Sequence, residues 1–504
     1  MSKRIIKHWI DGVATSGEGK QRGPVFNPAT GFQIGEVTFA ERSDVDKAVT
    51  AAKKAFETWG NSSLVHRQKI MFAFRELVAA RKLDIAREVS TEHGKTLDDS
   101  LGEVQRGLEV IEFACNIAHL LKGEYSEQVS RGLDTYTIRR PLGVVAGITP
   151  FNFPVMVPMW MYPIAIACGN TFVLKPSEQD PSVSQLVAEM FAEAGLPNGV
   201  FNVLHGDKVA VDALLEHPDV AAISFVGSTP IARHVYEAGT RNGKRVQALG
   251  GAKNHMVILP DADMELAADS AVSAGYGSAG ERCMAISVIV TVNDAADYLI
   301  PKIQKRMTTL KVAPSTEEDA QIGPLITRKH RDQVASYVNA GVNEGATLVV
   351  DGRDLEIEGH EEGFFIGPTL FDNVNPSMSI YKDEIFGPVL SVVRVDSYEK
   401  AIGLINKNRW GNGTAVFTND GGAAHKFKNE IQVGMVGINV PIPVPLSFHS
   451  FGGWKESLFG SHAIYGPDGV HFYTRHKVVI SRWPDPIYRG IDLGFLSHDQ
   501  RGKS

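Results

Sequence analysis

Short apolar runs alternating with helical segments constrain this chain more than any other feature. Residues Leu142–Thr149, Thr171–Lys175, Val200–Leu204, Ala221–Val226, Val246–Leu249 and His255–Leu259 are rich in Val, Ile, Leu and Phe. Segments of helical period, Ser182–Ala194, Asp207–Glu216 and Pro230–Thr240, separate several of them. Continuous apolar strands joined by helices predict parallel βαβ units and a doubly wound sheet covered on both faces. Such sheets bind ligands outside the carboxyl ends of their strands. The first strand lies in a stretch, Pro141 to Leu174, without any charged residue. That stretch is long enough to cross a bilayer, but Pro150, Pro154, Pro158 and Pro163 interrupt it, with Asn152 and Asn170 inside. It predicts a buried strand, an irregular turn and a buried helix, not a membrane span.

Before this region, Ser43 opens a helix with a capping pattern, and Val45, Ala48, Val49, Ala52, Phe56 and Trp59 follow at helical spacing. A longer helical pattern covers Ser63 to His93 and stops at Gly94, and a third covers Glu103 to Leu121. Tyr125 to Arg140 reads as a polar extended ribbon. After Asp261 the pattern resets, with strands expected at Ile286–Val292, Thr347–Asp351, Val389–Val395, Thr414–Phe417 and Met435–Asn439. This is a second α/β domain, as 504 residues require. Gly469–Ile480 alternates like an exposed or pairing strand.

A net charge of −7 without a basic cluster excludes nucleic acid as the expected partner. Three well-separated cysteines, Cys115, Cys168 and Cys283, cannot form a disulfide framework and fit a reducing, cytoplasmic setting. The N-terminus carries no apolar core of signal-peptide length. None of the sixteen histidines has metal-ligand spacing, so no metal is expected.

Cys283 follows Arg282 in a Gly-Ser-Ala-Gly-Glu-Arg turn that opens the strand at Ile286. A thiol there is either a nucleophile, with the guanidinium favouring its thiolate, or a small buried hydrophobe. His205 and His255, at strand ends, are the histidines that could serve it as a base. Cys115 and Cys168 sit in apolar runs and read as core. Gly227-Ser228, at a strand end opening a helix, is either a pyrophosphate seat or an ordinary turn. Lys175 and Glu178 offer an ammonium and a carboxylate suited to the hydroxyls of a ribose, or a solvated turn. Asn152, in Thr149-Pro-Phe-Asn-Phe-Pro, is a fixed amide donor for an oxyanion, or a turn residue. Lys382-Asp-Glu384-Ile-Phe386 adds a carboxylate and an aromatic face.

Together, Pro-Phe-Asn152-Phe-Pro, Lys175-Pro-Ser-Glu178, Phe225-Val-Gly-Ser228-Thr, Leu249-Gly-Gly, Gly280-Glu-Arg-Cys283 and Glu384-Ile-Phe386-Gly-Pro resemble the aldehyde dehydrogenase superfamily in order and separation, from about His8 to Trp483. The resemblance implies a Rossmann-type NAD domain (1–122 and 142–250), an α/β catalytic domain (251–452) and β-ribbon arms (123–141 and 467–504) that build a homo-oligomer, a tetramer or dimer. It implies NAD, with Lys175 and Glu178 on the adenosine ribose and Ser228 on the pyrophosphate. Thr149, Phe151, Gln179 and Gly250 would line the cofactor, and Glu384 and Phe386 its nicotinamide end. Cys283 would be the nucleophile and Asn152 the oxyanion donor.

Two departures stand out. Ala232 replaces a glycine common after Gly-Ser-Thr. Ala248 occupies the place where most members carry the Glu that activates water. With Gly-Glu-Arg-Cys-Met-Ala-Ile-Ser and Val440-Pro-Ile-Pro-Val-Pro-Leu446, this resembles the CoA-acylating methylmalonate-semialdehyde dehydrogenases. The co-substrate implied is coenzyme A, with hydrolysis to a free acid as the alternative. A carboxylate-bearing semialdehyde needs a cation near the thiol, and Arg106 and Arg282 are the expected pair.

Overall fold

The computed structural model describes residues 4–130 and 132–483. Five parallel strands form the heart of the first sheet. They stand in the order Arg245–Leu249, Val220–Val226, Val144–Ile148, Thr171–Lys175 and Phe201–Val203. The chain winds one way from Val144 to Val203 and then returns to the other side. A crevice therefore opens between the carboxyl ends of Val144–Ile148 and Val220–Val226. Short antiparallel strands close both edges: His8–Ile10 pairs with Phe201–Val203, and Leu458–Phe459 pairs with Arg245–Leu249.

The charge-free stretch folds as the strand Val144–Ile148, a turn and the helix Met156–Ala167, whose side chains are all buried. Trp59, Phe74, Phe172 and Phe191 pack with its Tyr162 in one core cluster. No helix among the described residues is long and apolar enough to cross a membrane.

The second sheet has seven strands, six of them parallel, in the order Thr347–Val350, Thr369–Asp372, Val389–Val395, Ile286–Val292, Asn254–Ile258, Gly413–Phe417 and Met435–Ile438. Its own core, including Met256, Val257, Val290, Val392 and Phe417, is separate from that of the first. The strand at Asn254–Ile258 belongs here and not with the strands before it in sequence, because it pairs with Ile286–Val292 and Gly413–Phe417.

Three expectations are corrected. The helix expected over Ser63–His93 is broken at Arg81 into Leu64–Ala80 and Lys82–His93, and it ends at left-handed Gly94. The next helix starts at Leu97, where the Thr96 hydroxyl accepts the Asp99 N–H, and it ends at Cys115. The tail is a helix, Gly466–Phe472, before it becomes the strand Thr474–Arg482. That strand pairs with Leu133–Pro141, itself paired with Tyr125–Ser130, in a three-stranded ribbon sheet. The arm expected over 467–504 continues past residue 483, outside the described residues.

Candidate active site

The Cys283 loop leaves the helix Met264–Tyr276 and enters the strand Ile286–Val292 at the amino edge of the second sheet. Three consecutive residues there are left-handed: Ser278 (φ 52°), Ala279 (φ 51°) and Gly280 (φ 75°). Such backbone is costly for Ser and Ala, and persists only where surroundings fix it. A Cβ on Gly280 would lie 2.2 Å from the Gly387 carbonyl oxygen, so only glycine fits that close approach.

Side-chain amides fix the rest of the loop. Asn254 Nδ2 donates to the Cys283 carbonyl at 3.0 Å, and Asn412 Nδ2 donates to the same oxygen at 3.1 Å. Asn152, 4% exposed, donates through Nδ2 to the Glu281 carbonyl at 3.0 Å. An amide nitrogen carries two N–H groups, and this bond uses one of them. The backbone N–H groups of Cys283 and Met284 face the sulfur and ease its ionisation.

Cys283 itself is partly exposed, whereas Cys115 and Cys168 are buried. Burial of the sulfur, aided by the nearby Glu384 carboxylate, pushes its thiol up to about 12. The expectation that Arg282 would favour the thiolate is corrected in degree. Its guanidinium pairs with Asp99 and lies across Gly277, and its pull on the thiol is outweighed by burial. Asp99 also accepts the Ser278 N–H at 3.1 Å, so the pair ties the Cys283 loop to the helix Leu97–Cys115.

Neither suspected histidine serves the thiol. His205 is buried and stacked on His8, and His255 Nε2 lies 3.1 Å from the Tyr381 hydroxyl. Burial holds His205 well below its ordinary value and His255 down to about 3.

Arg106 lies on the helix Leu97–Cys115. Its Nη1 donates to Glu109 at 2.6 Å and its Nη2 to the Pro445 carbonyl at 2.9 Å, an oxygen that also accepts the Tyr465 hydroxyl at 2.7 Å. Burial raises the Tyr465 hydroxyl well above the usual phenol range, and the Cys283 thiol is near enough to add to that rise. Arg106 and Cys283 thus face the same tyrosine.

Thr149, Phe151, Lys175, Glu178, Gln179, Ser228 and Gly250 lie at the carboxyl ends of four adjacent strands, while Glu384 and Phe386 come from the segment before the strand Val389–Val395. Ser228 is exposed, stands at the N-cap of the helix Thr229–Arg241 and makes no capping bond, which leaves its hydroxyl free at a helix N-terminus. Thr149 Oγ1 and Gln179 Oε1 are buried without a partner. Lys175 Nζ and Glu178 Oε2 meet at 2.9 Å. Phe151 stands edge-on to Phe386, 5.9 Å between ring centroids. Phe386 is itself left-handed, at φ 57°. Glu384 points inward: its Oε1 accepts the Ala252 N–H at 2.9 Å beside the Gly250-Gly251 turn, and burial raises it to about 7. Orphaned polar atoms and an unused helix N-terminus fit a dinucleotide.

Ala232 and Ala248 are both fully buried in one apolar cluster with Ile148, Phe225 and Val246. Gln247 and Leu249 face the other side of their strand, where Leu249 joins the cluster on which Cys283 packs. The Ala248 methyl therefore points away from Cys283 and into core. Among the described residues no group of three or more His, Cys, Asp and Glu side chains is placed to hold a metal.

The sequence model of the aldehyde dehydrogenase family matches residues 14–479. The chain belongs to the aldehyde dehydrogenase family. It is similar to the malonate-semialdehyde dehydrogenase of Pseudomonas aeruginosa, 55% identical over 480 residues that cover 95% of this chain and 96% of the relative. Among solved structures it resembles a provisionally assigned methylmalonate-semialdehyde dehydrogenase from Sinorhizobium meliloti 1021, solved in complex with NAD. That match has a TM-score of 0.95 and 52% identity, covering 97% of this chain and 100% of the other. The methylmalonate-semialdehyde dehydrogenase of Oceanimonas doudoroffii matches with a TM-score of 0.94 and 53% identity over 96% and 99% of the two chains. Asn254, Asn412 and Asp99 are site residues that no local sequence pattern marked, although Asn412 between two glycines signals a tight turn.

Proposed function

We propose that this chain oxidises malonate semialdehyde or methylmalonate semialdehyde with NAD, and passes the decarboxylated acyl group to coenzyme A. The observation that carries the proposal is a partly exposed Cys283 in a loop that the Asn152 amide also holds, with Arg106 and Cys283 both close to Tyr465. The names of the similar proteins support the substrate class.

In this proposal Lys175 and Glu178 take the adenosine ribose, Ser228 and the N-terminus of its helix take the pyrophosphate, and Thr149, Gln179 and Gly250 line the path between. Phe151, Phe386 and Glu384 flank the nicotinamide end. Arg106 binds the substrate carboxylate; Arg282, expected to share that role, is taken up by Asp99 and holds the loop instead. The Cys283 thiolate adds to the aldehyde carbon, and Asn152 Nδ2 with the Cys283 N–H holds the oxyanion. NAD, when bound, supplies the two-electron acceptor that turns this adduct into a thioester. The thioester carbonyl accepts the electron pair as the β-carboxylate leaves as CO2, and a proton then adds to the α-carbon. The CoA thiolate attacks the thioester and Cys283 departs as thiolate.

A thiol acceptor over water rests on the resemblance to the CoA-acylating members, since Ala248 points into the core and away from Cys283. The 1–122 and 142–250 segments form the NAD domain and 251–452 the catalytic domain. The ribbon sheet, with exposed Tyr125, Val478 and Ile480, forms the arm of a homo-oligomer, a tetramer or dimer. Three unpaired thiols fit a cytoplasmic setting. Steady-state assays with both semialdehydes, with and without CoA, test the proposal. It expects acetyl-CoA or propionyl-CoA by mass, and free acid as the main product in the presence of CoA would overturn it.

A further inference from the structure

One face of the helix Leu97–Cys115 reaches three separate walls of the site. Asp99, Glu103 and Arg106 stand four and three residues apart, the spacing of a single helical face. Asp99 grips the nucleophile loop and Arg106 reaches the Pro445 carbonyl. Glu103 grips the turn that carries Asn152.

That third contact is a buried ion pair. Lys95 Nζ lies 2.8 Å from Glu103 Oε2, with the two side chains 1% and 0% exposed. The same ammonium donates to the Asn152 carbonyl at 2.7 Å and sits 4.3 Å over the Phe153 ring. Glu103 Oε1 accepts the N–H of Val155 at 2.8 Å and of Met156 at 3.1 Å. These donors open the helix Met156–Ala167, whose N-cap, Val155, has no side chain able to cap it. The carboxylate therefore does the capping from another helix. Asn152 is held from behind at its backbone oxygen and from the front at its amide, by the Glu281 carbonyl. A buried ion pair is seldom a net source of stability, so its specific gain lies in the geometry it fixes.

We propose that Lys95 and Glu103 are positioning residues for Asn152, setting the direction of its free N–H toward the oxyanion. This assignment rests on Asn152 being the oxyanion donor. Neither residue touches substrate, so the expected deficit is in the rate of chemistry and not in substrate binding.

The test uses the full-length enzyme in rapid mixing with NAD and malonate semialdehyde, reading the NADH burst in Glu103→Gln, Asn152→Ala and the double variant. Gln keeps an acceptor oxygen for the Val155 and Met156 N–H groups but removes the charge. Glu103→Gln is expected to slow the burst by about tenfold or more, while burst amplitude per chain and KM stay within about twofold. In the Asn152→Ala background the same change should cost less than about twofold, because the two act through one amide. A normal burst rate in Glu103→Gln, or slowing that multiplies in the double variant, overturns the proposal while leaving Asn152 in its role. A normal burst rate in Asn152→Ala instead overturns the oxyanion assignment itself. Lys95→Met with Glu103→Gln leaves no lone buried charge, and the same criteria apply to it should the single variant not fold.

Discussion

The amide of Asn254 donates at 3.0 Å to the carbonyl oxygen of Cys283, 29 positions away in sequence. It also donates to the Ala285 carbonyl at 3.0 Å and accepts the Gly413 N–H at 3.0 Å, so one side chain ties the Cys283 peptide to two neighbouring strands. Asn254→Ala leaves the Ala285 carbonyl and the Gly413 N–H without this partner, while the Cys283 carbonyl keeps only Asn412, a loss of about 3 kcal/mol. The expected result is a lower urea midpoint together with a slower NADH burst. Unchanged values in both measurements would show that the loop is held by other means.

The two arginines should behave differently. Arg106→Leu is expected to raise KM for malonate semialdehyde by about tenfold or more while sparing propanal, since it removes the cation proposed to hold the substrate carboxylate. Arg282→Leu frees Asp99 and loosens the Ser278–Cys283 loop, so it should slow both aldehydes alike. Selective loss on the carboxylated substrate in Arg282→Leu would reverse the two roles.

Ala248→Glu tests where the missing carboxylate could go. The side chain would enter the cluster of Ile148, Phe225 and Val246. An unpaired carboxylate there costs about 3 kcal/mol or more. Thermal unfolding should therefore drop sharply, with no gain of hydrolysis. A stable variant that makes free acid would place position 248 at the water instead.

Thiol reactivity follows from burial. Cys115 and Cys168 are buried, with thiols raised to about 12, and should resist iodoacetamide in the native protein. Cys283 should be the residue alkylated. Its thiol also stands near 12, so the thiolate fraction and the rate should keep rising with pH through 9. Glu384 ionises as pH rises through about 7, and its negative charge then opposes the thiolate. Glu384→Gln should speed alkylation by about threefold or more above pH 7, with little change below it. Equal rates across that range would remove Glu384 from the thiol's surroundings.

The doubly wound half was legible because its strands are buried on both faces and read as unbroken apolar runs, as at Thr171–Lys175. The short strands Arg4–Ile6, His8–Ile10 and Val13–Thr15 have three residues each, too few to show a period. Thr369–Asp372 has only four. Cys283 and Asn152 stood out through loop chemistry and through their place in a family pattern. Their supports did not, because Arg282 meets Asp99 across 183 positions and Asn412 meets Cys283 across 129. No local pattern records such contacts. The direction in which Ala248 points likewise depends on which face of its strand meets which core.

The central claim is that Cys283 forms a thioester that waits for coenzyme A. Enzyme, NAD and malonate semialdehyde, mixed rapidly without CoA, should release NADH in a burst of about one equivalent per active site, then turn over very slowly. CoA should restore steady turnover, and Cys283→Ala should bind NAD yet show no burst. A burst of normal size in Cys283→Ala, or full turnover of the native enzyme without any thiol acceptor, would contradict the claim.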